Sequence, residues 1–196
     1  MSEGEAILWR RLDLPGHDAA TIKPIAHGWR VSGVAILVDS ARPCRVEYDV
    51  DCDTSWLTRH CSLRGHVGAM PVALDVRRGV SGTWTVDGAD APGLRGCMDI
   101  DLGFTPATNL LPIRRLKLDI GQPAVVRAAW IRFPEFTAEV LDQVYTRQAE
   151  YRYLYESGGG VFRCELQVDP FGCVVDYPGL WRAEATLSLS SPLPLS

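Results

Sequence analysis

Apolar and polar residues alternate along most of this chain with a period of two, the spacing that sends successive side chains to opposite faces of a β-strand. The pattern predicts strands over residues 31–39 and 45–53, joined by the polar turn SARP, and over 56–66 and 71–77. In TWTVDG, Asp87-Gly88 supplies the positive φ angles of a tight turn. CMDIDL (97–102) alternates, and a strand over 124–133 stops at Pro134, which lacks the N–H a central ladder needs. Residues 136–147 fit either period, since Phe136, Val140, Val144 and Tyr145 would also line a helix face; they are read as strand. Tyr151, Tyr153 and Tyr155 alternate, 158–160 is a glycine connection, and 161–177 reads as a hairpin closed around Asp169-Pro170-Phe171-Gly172.

Strand signals recurring about every 8–12 residues, separated by turn chemistry, point to an all-β fold, mainly antiparallel, with few short helices. Sandwich, barrel and roll all satisfy this pattern. A chain of 196 residues is expected to form one domain over 1–196, with the tail at about 187–196 (LSLSSPLPLS) disordered.

Composition narrows the function classes. At 46% hydrophobic and 22% charged the chain is of the soluble globular type, and a net charge of -4 gives no electrostatic footprint for nucleic acid. No window approaches the roughly 18 apolar residues of a membrane-spanning helix, and GVAILV (33–38) is six residues long and suits a strand, so an integral membrane protein is not expected. MSEGEAILWRRLDLPG lacks the layout of a secretory signal, which predicts a cytoplasmic protein whose six cysteines are reduced and mostly buried. His17, His27, His60 and His66 show no zinc spacing, and no phosphate-cradling or nucleophile motif occurs, so no metal and no cofactor are expected. The stripe Glu47, Asp49, Asp51 and Asp53 reads as a solvated outer face.

Counting faces isolates one polar cluster. In CMDIDL, Asp99 and Asp101 share a face opposite Met98, Ile100 and Leu102. Read as a strand, IRRLKLDI puts Arg114 in the apolar row with Leu116, Leu118 and Ile120, and sends Arg115, Lys117 and Asp119 to water. A guanidinium in an apolar row needs a carboxylate or a ligand anion, and Asp99 or Asp101 is the natural partner. TPATN (105–109) is first a turn and secondarily offers Asn109. Trp84, Trp130 and Trp181, with Tyr145, Tyr151, Tyr153 and Tyr155, lie in strand-like segments and suit core packing or stacking on sugar rings.

At GCMDIDLGFTPATNLLPIRRL (96–116) the sequence resembles the bacterial "putative glycolipid-binding" family, long catalogued as a domain of unknown function. The resemblance continues through WTVDG, AAWIRFPEF, DQVYTR and FRCELQVDPFGCVVDYPGLW, and so covers nearly the whole chain. It implies a strongly curved sheet, a β-roll or half-barrel around an apolar interior, and a ligand with a greasy part and a polar part. The leading expectation is a non-enzymatic binding protein for an amphipathic small molecule, a glycolipid. In it Arg114 grips the polar end, Asp99, Asp101 and Asn109 orient that arginine or bond hydroxyls, and Trp84, Trp130 and Tyr145 give stacking surface. The alternatives are a hydrolase or isomerase using Asp99 and Asp101 as acid and base, and a structural module in which the cluster only ties loops together. The sequence sets no oligomeric state.

Overall fold

The structure, a computed structural model, describes residues 4–189. Fifteen strands form one sheet: β1 (Glu5–Arg11), β2 (Gly16–Ile25), β3 (Gly28–Asp39), β4 (Arg42–Asp53), β5 (Thr58–Val67), β6 (Met70–Arg78), β7 (Trp84–Val86), β8 (Ala89–Asp90), β9 (Asp99–Leu102), β10 (Pro123–Ile131), β11 (Ala138–Ala149), β12 (Arg152–Ser157), β13 (Phe162–Val168), β14 (Val174–Tyr177) and β15 (Trp181–Ser188). A short helix, α1 (Leu110–Leu116), precedes β10. The order is β8-β7-β6-β5-β4-β3-β2-β1-β15-β14-β13-β12-β11-β10-β9, so the chain meanders away from β1 in both directions and β15 returns to pair with β1. Every neighbouring pair is antiparallel except β9 and β10. The fold is thus all-β, a single curled, mostly antiparallel sheet that is not closed.

Alternation explains the core. On β4 the side chains of Cys44, Val46, Tyr48, Val50 and Cys52 are buried, and the intervening residues face outward. Their partners on the neighbouring strands, Val31 and Ala35 on one side and Leu63 on the other, are buried too. Gly33 stands opposite Tyr48, and a Cβ there would collide with the phenol oxygen. The missing side chain therefore lets the Tyr48 ring lie across β3 and donate from its hydroxyl to Asp18 Oδ2 at 2.8 Å.

The parallel β9–β10 pair requires a crossover, because parallel neighbours cannot be joined by a tight hairpin. Residues 103–122 supply it. Phe104, Ala107, Leu110, Leu111 and Ile113 of this crossover join the same apolar cluster as the inward side chains of the sheet. The concave side is consequently filled by the chain's own crossover. The edge strand β9 then meets β5: Thr58 N donates to Met98 O at 3.3 Å, and Ile100 N donates to Thr58 Oγ1 at 3.0 Å.

The strands expected at 31–39, 45–53, 56–66, 71–77 and 124–133 are present with shifted ends, and the Asp169–Gly172 turn closes its hairpin with Gly172 N donating to Asp169 O. The 136–147 segment is strand, as read. IRRLKLDI is not: Leu110–Leu116 is helical and ends at Lys117 in the left-handed region. Seven residues make under two helical turns, too few to separate a period of 3.6 from one of 2. Pro112 falls in the first turn, where a missing N–H costs nothing. β15 runs through Ser188, and residues 190–196 of the expected tail lie outside the described residues. Among the described residues no helix is long and apolar enough to cross a membrane.

Candidate functional site

The helical geometry of α1 redistributes the two arginines. Arg115, expected in water, is the one that pairs with an acid: its Nε and Nη2 donate to Asp99 Oδ1 and Oδ2 at 3.0 and 2.6 Å, with side-chain exposures of 12% for Arg115 and 1% for Asp99. Burial raises the Asp99 carboxyl, and the hydrogen bonds and charge of Arg115 act against that rise. Arg114, expected as the partner of these acids, turns instead toward Phe171 and Trp56, its guanidinium carbon 4.8 and 5.2 Å from their ring centres. Its Nη1 donates to Phe171 O at 3.2 Å. Side chains adjacent on a helix point about 100° apart rather than about 180°, which lets the two arginines serve different neighbours on the concave side.

Asp101, two residues along β9, has a different environment. Gln143 Nε2 on β11 donates to Asp101 Oδ2 at 2.5 Å and to Tyr155 Oη at 3.0 Å. Asn109 Nδ2 donates to Tyr145 Oη at 2.8 Å. Asp101 and Asn109 form the polar floor of a pocket of about 190 Å³ where β9, β10, β12 and β14 end. Its walls are Trp130, Tyr155, Tyr177 and Trp181, with Leu141, Phe162 and Leu180 around them. Edge-to-face contacts fix this wall: Tyr145 meets Tyr155 at 5.1 Å, and Tyr155 meets Tyr177 at 6.1 Å between ring centres. Burial pushes the Asp101 carboxyl up to about 6; the Gln143 hydrogen bond opposes this, and the nearby Asp99 carboxylate adds to it. Tyr155 is raised by burial first and by Asp101 next, so its phenol stays protonated.

Among the described residues Asp101 Oδ1 and Asn109 Oδ1 accept no hydrogen bond, and neither is among the polar atoms sealed from solvent. No Lys, Arg or His side chain lines the pocket. Chemically the site is a pair of open acceptors, one of them a carboxylate, facing aromatic rings, with Thr105, whose hydroxyl is spent on Asp18, and Ser157 also in the lining. It suits a group that presents hydrogen-bond donors on one side and C–H surface on the other.

The family model described as "Putative glycolipid-binding" matches residues 6–183. The chain belongs to this family. A solved structure of a DUF1089 family protein from Pseudomonas aeruginosa is similar at 32% sequence identity and a TM-score of 0.76, over 84% of this chain and 91% of that one. No curated protein matches.

In this member of the family, three of the residues singled out from sequence, Asp101, Asn109 and Trp130, line the same pocket, and Tyr145 sits directly behind Asn109. Asp99 is turned away to Arg115. Arg114 borders a separate cleft of about 260 Å³ with Lys117, Arg147 and Phe171. Trp84 lies at the opposite end of β9, its Nε1 donating to Cys97 O at 3.1 Å. Tyr155 and Trp181 were legible as strand aromatics but not as neighbours of Asp101. Their place depends on β12 to β15 lying in sequence along the sheet between β11 and β1. Tyr177, Gln143 and Phe162 carried no signal, each reading as one more alternating strand residue.

A broader depression of about 580 Å³ crosses the outer face of β15, β1, β2, β3 and β4. Two cross-strand rows form it, Leu187-Ala6-Thr21-Ser32-Asp49 and Ala185-Leu8-Ala19-Val34-Glu47. It is a shallow, mainly aliphatic surface, with the hydroxyls of Thr21 and Ser32 along one row and the carboxylates of Asp49 and Glu47 at its β4 end.

Proposed function

We propose that the protein binds the sugar end of an amphipathic small molecule, a glycolipid, in the pocket floored by Asp101 and Asn109. The observation that carries this reading is the pairing of two unused acceptors with an aromatic wall and no cation in the lining. Sugar hydroxyls are donors, and the C–H face of a sugar ring packs on aromatic rings. A volume of about 190 Å³ is below the ~300–1,000 Å³ of pockets that enclose a whole ligand. The pocket therefore takes one ring, and the apolar remainder lies against Leu141, Phe162 and Leu180 at its edge. This differs from a carrier with a hollow interior, because the crossover occupies that space. Six unpaired cysteines, five of them buried, suit a reducing compartment and support a cytoplasmic setting for this binding.

The test is calorimetric titration with short-chain alkyl glycosides below their micelle threshold. Wild type should bind, and Asp101→Asn should weaken binding by about tenfold or more, the usual worth of a hydrogen bond to a charged group. In competition against a bound neutral glycoside, sugar phosphates should displace it more weakly than other neutral glycosides do, since the Asp101 carboxylate repels them. Failure of every glycoside to bind, or an unchanged affinity in Asp101→Asn, would end this reading.

A further inference from the structure

The residues around Trp84 form a second and larger concavity, of about 590 Å³, between the end of β6 and the start of β9. Cys97 borders it and Leu102 borders the Asp101 pocket, so the two lie at opposite ends of β9, roughly 17 Å apart at strand rise. Its chemistry is the reverse of the Asp101 pocket. Arg78 and Arg95 line it, together with Ser81, Thr83 and the indole of Trp84.

Elsewhere on this part of the sheet arginines are held by carboxylates, as Arg77 is by Asp75 and Arg59 by Asp53. Among the described residues Arg78 and Arg95 take part in no ion pair, although Asp90 stands exposed in the same lining. Arg78 is anchored through Nε alone, which donates to Cys97 O at 3.1 Å. The Trp84 Nε1 donates to that same oxygen, also at 3.1 Å, so one carbonyl fixes the guanidinium and the indole side by side. Among the described residues both Nη groups of Arg78 have no hydrogen-bond partner, and they are not sealed from solvent. The Gly79–Thr83 turn closes over them: Gly82 has φ +80°, and a Cβ there would lie 3.4 Å from Arg78 Nη2. The hydroxyls of Ser81 and Thr83 stand 3.2 Å apart on this turn.

We propose that this concavity is an anion site that takes a phosphate group, with Arg78 and Arg95 as its charged donors and Ser81 and Thr83 as its neutral ones. A planar guanidinium with both Nη groups free offers the two parallel N–H bonds that phosphate accepts. The field around Arg78 agrees. Its proton affinity is lowered first by burial and then by the charge of Arg59, with Arg115 acting the same way and Asp53 and Asp99 opposing. A bound anion relieves that crowding of positive charge. The site does not depend on the sugar pocket and would stand if that reading fell.

The phosphate can arrive free, on a small ester, or on a lipid, and the experiment separates these sources. Wild type is titrated by calorimetry at constant ionic strength with inorganic phosphate and with glycerol phosphate. It is also floated with phosphatidylcholine vesicles with and without phosphatidic acid. At least one of these probes should bind, and Arg95→Gln should weaken that binding by about tenfold or more. Arg95 is exposed and makes no side-chain hydrogen bond, so this variant folds independently of the outcome. Arg78→Lys keeps the charge but loses the fork and should also weaken binding. Arg132→Gln, at the other end of the sheet and paired with Glu139, should not. The proposal is overturned if none of the probes binds, if Arg95→Gln binds like wild type, or if Arg132→Gln weakens binding as much as Arg95→Gln does.

Discussion

Asp18 gives the sharpest test of how the interior is built. It points inward from β2 and is fully buried. Oδ2 accepts from the hydroxyls of Tyr48 and Thr105, while Oδ1 is buried with no partner. No cation reaches it, and burial pushes its carboxyl up to about 6, against the two hydroxyl hydrogen bonds. The folded value lies above the unfolded value of 3.8, so the native state holds the proton more tightly. Stability from this group is fully present below about pH 4 and is lost as pH rises through about 6. The rise from 3.8 to about 6 corresponds to about 3 kcal/mol. Urea unfolding followed by tryptophan fluorescence at about pH 4 and about pH 8 measures it. Asp101 contributes with the same sign, so the wild-type loss should exceed that of Asp18→Asn by about 3 kcal/mol. The Asp18→Asn substitution also leaves an unpaired amide donor, which lowers stability equally at both pH values; the difference between them is what isolates the titration. An unchanged pH dependence in Asp18→Asn would refute a desolvated, unpaired carboxylate at this position.

Three further outcomes follow from the packing. Arg115→Met strands the buried Asp99 carboxylate and should cost about 3–5 kcal/mol in urea unfolding, much of it recovered in the Asp99→Leu/Arg115→Met double variant. Arg114→Met removes contacts with Trp56 and Phe171 worth about 1–2 kcal/mol, so it should destabilise less than Arg115→Met; the opposite order would show that the strand-based assignment of these arginines was right. Gly33→Ala drives a methyl into the Tyr48 ring and should lower stability by about 1–3 kcal/mol with the β-type circular dichroism retained.

How much of this was readable from sequence depended on how long each pattern ran. β3 to β6 keep their alternation over nine to twelve residues, and their existence was plain. β1 was not, because its outward residues Ala6 and Leu8 are as apolar as its inward Ile7 and Trp9, which erases the alternation. β2 hides for the converse reason: an inward acid, Asp18, stands where a hydrophobic residue is expected, among small outward residues. The polar residues of 96–116 read as one cluster from sequence; in the structure Asp101 and Asn109 line one pocket, Asp99 pairs with Arg115, and Arg114 borders a separate cleft. The pairing was misassigned because α1 is too short to declare its period. Which aromatics surround Asp101 is a matter of sheet order, and one sequence gives no rule that brings Trp181 beside Trp130.

Three inward acids, Asp18, Asp99 and Asp101, share one cause of perturbation, burial, and differ only in what faces them. Asp99 meets a bidentate guanidinium, which ties α1 to β9. Asp18 meets two hydroxyls, which tie β2 and β4 to the crossover. Asp101 spends one oxygen on Gln143 and presents the other to a pocket. That asymmetry separates binding from catalysis in our reading. A carboxyl raised to about 6 beside aromatic rings has the proton affinity of a general acid. Glycoside cleavage, however, places a second carboxylate across the scissile bond, at roughly 5–9.5 Å, and the nearest acid on β9 is engaged by Arg115 on both of its oxygens. Freeing it with Arg115→Gln supplies the test: if the acids form a catalytic pair, releasing Asp99 raises hydrolysis of an aryl glycoside above wild type. For a binding pocket, wild type and variant should both leave the glycoside intact while the Asp101-dependent affinity persists.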